Sequence, residues 1–184
     1  MKPAVFLDRD GTINRDVGYL STPKKLALFR GTSEAISLLS RAGYKVIVVS
    51  NQSGVGRGFI SKETVKCINL RLEKMLAERG ARIDAFYICP HHPDDGCSCR
   101  KPRTGLIKKA ARDFGLDLSR SYIIGDKLTD IEMGRRARLK ESILVLTGMG
   151  RKELRRAKEG NFKLGPVSKD LLAAARSIYR NNVS

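Results

Sequence analysis

The chain has 184 residues and a formal net charge of +17, from 36 lysines and arginines against 19 aspartates and glutamates. At roughly 100–200 residues per domain, that length predicts one domain over residues 1–184, and 41% hydrophobic with 30% charged residues excludes wholesale disorder. No run approaches the ~20 apolar residues needed to cross a bilayer, and Met1-Lys2-Pro3 leads straight into a short apolar segment and then charge, so neither a membrane span nor a signal peptide is expected.

Apolar runs and helical patterns alternate along the chain. Ala4-Val5-Phe6-Leu7 reads as a strand that ends at Asp8. Ala35, Ile36, Leu38, Leu39 and Ala42 form the apolar stripe of a helix that stops at Gly43. A second strand over 46–49 ends at Ser50-Asn51. Ser61 then N-caps a longer helix whose Val65, Ile68, Leu72, Met75 and Leu76 share one face, with Gly80 as terminator. Strand 86–88 ends at Cys89-Pro90. Thr104 opens a helix carrying Leu106, Ile107, Ala110, Ala111 and Phe114 before Gly115. Strand 122–124 ends at Gly125-Asp126, a helix opens near Thr129, strand 143–146 ends at Thr147-Gly148, and a closing helix spans 169–179 after Pro166. Short β-branched runs without polar alternation suit strands buried on both faces. The pattern predicts an α/β, doubly wound, mainly parallel Rossmann-like sheet with helices on both faces and no large cap domain.

Ligands of such sheets bind beyond the carboxyl ends of the strands. That edge collects Asp8 and Asp10, Ser50 and Asn51, and Asp126 and Asp130. Residues two apart on an extended segment point the same way, so Asp8 and Asp10 can face one point, and Gly11 lets the chain turn after them. Close carboxylates repel unless a cation lies between them, which invites Mg²⁺. One carboxylate can then act as nucleophile while the other trades protons. Asp130 is expected to orient neighbours or to complement the N-terminus of its helix rather than to bind the metal.

Cys89-x-His91 and Cys97-x-Cys99 place three thiols and an imidazole within eleven residues, a tetrahedral set soft enough for Zn²⁺. The zinc is expected to be structural, fixing the loop that leads into Arg100 and Lys101. His92 competes with His91 as the imidazole ligand. Cys67 lies within a helical pattern and is expected in the core or at its boundary. A reducing, cytoplasmic compartment follows from four cysteines without an export signal.

Phe6-Leu7-Asp8-Arg9-Asp10-Gly11-Thr12-Ile13-Asn14 resembles the first motif of the haloacid dehalogenase superfamily of phosphatases. Ser50-Asn51-Gln52-Ser53 resembles the second, Lys101 the third, and Gly125-Asp126-Lys127-Leu128-Thr129-Asp130 the fourth. Asp16-Val17-Gly18-Tyr19, Asn51 through Gly58, Cys89-Pro90-His91-His92-Pro93 and Cys99-Arg100-Lys101-Pro102 are most similar to bacterial D,D-heptose 1,7-bisphosphate phosphatases. The resemblance implies a phosphoric monoester hydrolase in which Asp8 forms an aspartyl-phosphate and Asp10 is the general acid and base. Asp8, Asp126 and the carbonyl of Asp10 would hold Mg²⁺, Ser50, Asn51 and Lys101 would bind the transferring phosphoryl group, and His91 would be preferred to His92 on zinc. It places Asp16, Gly18, Tyr19, Gln52, Ser53, Arg57, Arg100 and Lys127 at the substrate, and Arg57 and Arg100 suit a second phosphate gripped bidentately.

The five residues between His91 and Cys97 make a short loop, similar to the related histidinol-phosphate phosphatase domain, so that substrate is the alternative. The high positive charge leaves a polynucleotide 3′-phosphatase or a non-catalytic zinc-stapled basic binding module as further alternatives. The expected partner is a small phosphorylated sugar rather than nucleic acid or membrane, and the expected state is a monomer.

Overall fold

The computed structural model describes residues 1–183. Six parallel strands form one sheet in the order β3-β2-β1-β4-β5-β6. They are β1 (Ala4–Leu7), β2 (Lys45–Asn51), β3 (Ala85–Cys89), β4 (Tyr122–Gly125), β5 (Glu141–Val145) and the short edge strand β6 (Val167–Ser168). Seven helices connect and flank them: α1 (Thr32–Arg41), α2 (Ser53–Gly56), α3 (Lys62–Ala77), α4 (Gly105–Phe114), α5 (Leu128–Arg136), α6 (Gly150–Glu159) and α7 (Leu171–Val183).

The two-residue period of the strands divides the core. Val5, Leu7, Val46 and Val48 face one layer with Ile36 and Leu39 of α1, Ile68 and Leu72 of α3, and Ala174 and Ile178 of α7. Ala4, Phe6, Ile47 and Val49 face the other, against Leu106, Ile107 and Ala110 of α4 and Met133 of α5. Both faces are therefore covered, as a parallel sheet requires. The strand order reverses direction between β1 and β4, and this switch point places the segments after Leu7 and Gly125 side by side.

The predicted elements fall where expected, with instructive differences at the C-terminal end. Ser61 caps α3, its hydroxyl accepting from Thr64 N at 3.0 Å. The closing helix starts at Leu171, capped by Asp170 (Ala173 N to Oδ1, 2.8 Å), and runs to Val183. Helix α6 is absent from the pattern-based reading because it buries so little apolar surface. Gly150, Glu153 and Ala157 are its buried residues, and its other face carries Arg151, Lys152, Arg155, Arg156 and Lys158. Cys67 corrects an expectation: it points to solvent from the outer face of α3, beside the buried Ile68. No helix among the described residues is long and apolar enough to cross a membrane.

Candidate active site and zinc cluster

Asp8 emerges from the central strand β1 and is buried. Its Oδ1 accepts from Arg9 N at 2.8 Å and lies 2.8 Å from Lys101 Nζ. The same ammonium contacts Asp130 Oδ1 at 2.6 Å and donates to Val49 O at 3.1 Å, so its three N–H directions are all used. Burial works against a charged amine at Lys101, but Asp130 and Asp8 outweigh it and hold the group protonated.

Asp126 closes the cluster from the end of β4. Its carboxylate, with those of Asp8 and Asp130, supplies oxygens that all lie within 4.8 Å of one another. Oδ2 accepts from Met149 N at 2.8 Å, while Oδ1 is buried with no protein partner. Gly11 makes the approach possible. A Cβ there would fall 2.1 Å from Asp126 Oδ2, and its φ of +90° is one that L side chains rarely adopt. Burial, and then the charge of Asp8, pushes the Asp126 carboxyl up to about 8. Asp130 is pushed up to about 6, again by burial first. An orphaned oxygen among three crowded carboxylates fits a hard divalent cation, which would supply the missing positive charge.

The sign of the resulting pH dependence follows. The folded pKa of Asp126 lies above its ordinary 3.8, so between those values the native state holds a proton that the unfolded chain has lost. This contribution to stability is present in acid and is lost as pH rises toward 8. A cation that replaces the proton removes the loss. Mg²⁺ is therefore expected to raise the Tm by several degrees more at pH 8 than at pH 5.5, and Asp126→Asn should abolish the difference. Thermal melts at both pH values with and without Mg²⁺ check this, and an equal Mg²⁺ effect at the two pH values would contradict it.

Asp10 lies one residue pair further on, in a different environment. Its Oδ2 accepts from Arg9 Nη2 (2.8 Å), Arg9 Nε (3.2 Å) and Gln52 Nε2 (2.8 Å), and its Oδ1 from Asn14 Nδ2 (2.8 Å). Burial alone would raise its pKa, but Arg9, Asn14 and Gln52 together hold the carboxyl below its ordinary value.

Asp8, Asp10, Asp16, Gly18, Tyr19, Ser50, Asn51, Gln52, Ser53, Arg100, Lys101 and Lys127 line one cavity of about 330 Å³, completed by Gly54 and Thr129. Three details refine the sequence-based expectation. Arg57 does not line the cavity; it sits exposed at the C-terminal cap of α2. Asn51 lines the cavity and also spends both ends of its amide on the Lys101 backbone, accepting from N at 3.1 Å and donating to O at 3.4 Å, so its side chain holds Lys101 in place. Gln52 bridges Asp10 and Ser50 Oγ (2.9 Å) rather than reaching freely into the cavity. At the rim, Lys127 Nζ lies 3.3 Å from Asp16, and Tyr19 packs against Phe59 with ring centroids 4.9 Å apart. Asp130 also accepts from Lys127 N at 3.1 Å, so it both caps α5 and anchors Lys101, as an orienting acid would.

Sequence reasoning missed Arg9, which is fully buried, and Asn69, which receives its Nη1 at 2.9 Å. It also missed Thr147, whose hydroxyl donates to Gly11 O at 2.7 Å, and Glu153, whose buried carboxylate accepts from Leu128 N at 3.1 Å. The one available signal was Asn69, a polar residue in the otherwise apolar stripe of α3.

All four cysteines are free, and three of them meet His91. Cys89 Sγ lies 3.6 Å from Cys97 Sγ and 3.6 Å from His91 Nδ1, while Cys99 Sγ lies 3.5 Å from Cys97 Sγ and 3.2 Å from His91 Nδ1. A tetrahedral zinc with Zn–S bonds of about 2.3 Å has S···S edges of about 3.8 Å, so this cluster has the dimensions of a zinc site. His92 is turned elsewhere, its Nδ1 accepting from Asp94 N at 3.3 Å. The turn after Ser50 leans on the cluster: a Cβ on Gly56 would meet His92 N at 2.2 Å.

A parallel sheet with paired aspartates after its central strand, a lysine across from them and further aspartates after β4 is the arrangement of haloacid-dehalogenase-like hydrolases. Residues 98–174 match the family model described as HAD-hydrolase-like. The D-glycero-β-D-manno-heptose-1,7-bisphosphate 7-phosphatase of Photorhabdus laumondii is 40% identical over 153 residues, 79% of this chain and 81% of that one. The corresponding phosphatase of Thermosynechococcus vestitus is 40% identical over 188 residues, 96% of this chain and 95% of the relative. The crystal structure of D,D-heptose 1,7-bisphosphate phosphatase from B. bronchiseptica, complexed with magnesium and phosphate, superposes with a TM-score of 0.88 at 35% identity, covering 98% and 99% of the two chains. The chain belongs to the heptose-1,7-bisphosphate 7-phosphatase family of haloacid-dehalogenase-like hydrolases. It is a phosphoric monoester hydrolase.

Proposed function

We propose that this enzyme removes the C7 phosphate of D-glycero-D-manno-heptose 1,7-bisphosphate. The observation that carries the reading is an Arg100 guanidinium nitrogen, buried without a protein partner, on the wall of the cavity that holds Asp8 and Lys101. An orphaned buried N–H of this kind calls for an anion, and the phosphate not being cleaved supplies one. The names of the relatives in the family point to the same bisphosphate. Histidinol phosphate has no second phosphate to meet Arg100.

Arg9 N and Lys101 Nζ both sit on Asp8 Oδ1, which leaves Oδ2 to attack phosphorus in line with the departing sugar oxygen. The P–O bond to the sugar breaks as the Asp8 O–P bond forms, and Asp10, a carboxylate in the free enzyme, would pass to the leaving oxygen a proton that it takes from the entering phosphate monoanion. Asp10, again a carboxylate, then takes a proton from water, which attacks the aspartyl-phosphate and releases inorganic phosphate. Lys101 and Ser50 line the cavity beside Asp8. On substrate binding Lys101 would exchange one of its three present partners for a phosphoryl oxygen, where alignment and neutralisation carry most of the catalysis. Asp8, Asp126 and the Asp10 carbonyl would hold Mg²⁺, which supplies charge neutralisation at the phosphoryl group. The enzyme acts as one domain and as a monomer in a reducing compartment, with a small sugar phosphate rather than nucleic acid as its partner. Its 330 Å³ cavity suits a ligand of that size.

The test is kcat/KM across the two anomers of the heptose bisphosphate, histidinol phosphate, fructose 1,6-bisphosphate and a 3′-phosphorylated oligonucleotide. The heptose bisphosphate is expected to lead. A preference of more than about tenfold for histidinol phosphate, ~1.4 kcal/mol in transition-state binding, or for the oligonucleotide would overturn the assignment. Arg100→Ala should cost the bisphosphate about 10–100-fold in kcat/KM, the worth of a hydrogen bond to a charged group. The 7-monophosphate of the same sugar should lose far less.

A further inference from the structure

Arg9 has the largest fully buried side chain among the described residues, and it does not line the substrate cavity. Its guanidinium fork is split. Nη2 and Nε clasp Asp10 Oδ2, while Nη1 donates to Asn69 Oδ1 on the middle turn of α3, 60 residues away. Asn69 is buried on the stripe otherwise made of Val65, Ile68, Leu72 and Leu76, where every other position is apolar. It too lies outside the catalytic cavity, against a separate, largely apolar hollow beneath Val65, Leu70 and Phe86. A polar residue in an apolar stripe, with its carbonyl oxygen on a buried guanidinium, needs a reason beyond packing.

We propose that Asn69 is a positioning residue for the reaction: through Arg9 it fixes the direction of the Asp10 carboxylate toward the leaving group. A guanidinium carries its donors in one rigid plane, so anchoring Nη1 sets the angle at which Nη2 and Nε meet Asp10. Asn14 and Gln52 hold the same carboxylate from other sides, but each supplies one donor, and neither defines a plane. Without the Asn69 oxygen a buried N–H is left unpaired, the fork turns to find another acceptor, and Asp10 turns with it. The effect falls on proton delivery, a step that tolerates little misalignment.

This inference rests on the reading of Asp10 as general acid, and the experiment separates the two. kcat/KM reports the steps up to release of the first product, and 4-nitrophenyl phosphate has a leaving group that needs no proton. The ratio of kcat/KM for the heptose bisphosphate to that for 4-nitrophenyl phosphate is therefore measured for wild type, Asn69→Leu, Asn69→Asp and Asp10→Asn. The ratio does not depend on what fraction of a variant is folded. Asn69→Leu is expected to lower it by about tenfold or more, within the range for general acid catalysis. Asn69→Asp, which keeps an acceptor oxygen at the same place, should hold it within about threefold of wild type. If Asn69→Leu reduces both substrates by the same factor while Asp10→Asn lowers the ratio, the positioning role is wrong and the Asp10 assignment stands. If Asp10→Asn leaves the ratio unchanged, the reading of Asp10 falls and the role of Asn69 falls with it.

Discussion

Asp8→Asn is expected to reduce phosphate release from the heptose bisphosphate by more than about 10⁴-fold, in line with removal of a covalent nucleophile elsewhere. An amide cannot attack phosphorus at neutral pH, and no neighbouring group can replace it: Asp126 and Asp130 are pushed toward protonation, and Asp10 is wrapped by four donors. The loss should be chemical rather than structural. Lys101 keeps Asp130 and Val49 O as partners, and removing the Asp8 charge relieves one of the influences that make Asp126 hard to ionise. The metal-free variant should therefore melt at or above the wild-type temperature at pH 8. With 4-nitrophenyl phosphate, whose leaving group needs no proton, labelled phosphate should be trapped on the protein in Asp10→Asn, where water activation fails, and never in Asp8→Asn. Turnover above about 1% of wild type in Asp8→Asn would place the nucleophile elsewhere.

How far the site could be read beforehand depended on the distance over which its residues act. The strands were legible because a parallel sheet buries both faces and leaves apolar runs with sharp polar ends. Those ends were the site: Asp8 and Asp126 follow directly from β1 and β4, and Ser50 is the last residue but one of β2. The zinc ligands were legible because ligand spacing is local. The tie from the Asn51 amide to the Lys101 backbone was not legible, because it spans 50 residues and no local pattern reports that. Helix α6 was invisible for a related reason. Its place is set by the buried Glu153 reaching back to the N-terminus of α5, a polar contact, and hydrophobic periodicity records only apolar ones. Asn69 left a trace that could have been used, since it interrupts the apolar stripe of α3 where Val65 or Leu72 sets the rule. Its partner Arg9 could not be placed, because an arginine beside two aspartates reads as a solvated charge until packing removes the water.

Zinc removal is expected to have the second large effect, because the protein itself does little to hold the loop it closes. Between Cys89 and Lys101 the chain has no strand or helix and is fastened by a few contacts. These include Arg103 Nη1 to Cys97 O at 2.7 Å, Gly105 N to Ser98 O at 3.1 Å and the close packing of Gly56 on His92, with Gln52 N on Cys89 O and the Asn51 amide on the Lys101 backbone at its two ends. At its far end stand Arg100 and Lys101, the cation for the second phosphate and the cation on Asp8. Burial raises the pKa of Cys89 and Cys99, while hydrogen bonds to the other thiols bring Cys97 down despite the same burial effect. Without zinc, Cys89 and Cys99 stay protonated and no bond joins the four side chains, so the loop has reason to open. Cys97→Ser, or exhaustive chelation, should lower kcat/KM by more than about 100-fold, since a 1 Å misplacement of a catalytic group alone costs about that much. The Tm should fall by about 5–15 °C, as expected for a loss of several kcal/mol in a chain of this size. Chelation should also be faster at pH 5.5 than at pH 8, because zinc must compete with protons for its thiolates. Re-addition of zinc should restore the wild type and leave Cys97→Ser impaired. A zinc-free protein with full turnover and an unchanged melting temperature would show that the loop holds Arg100 and Lys101 without its metal.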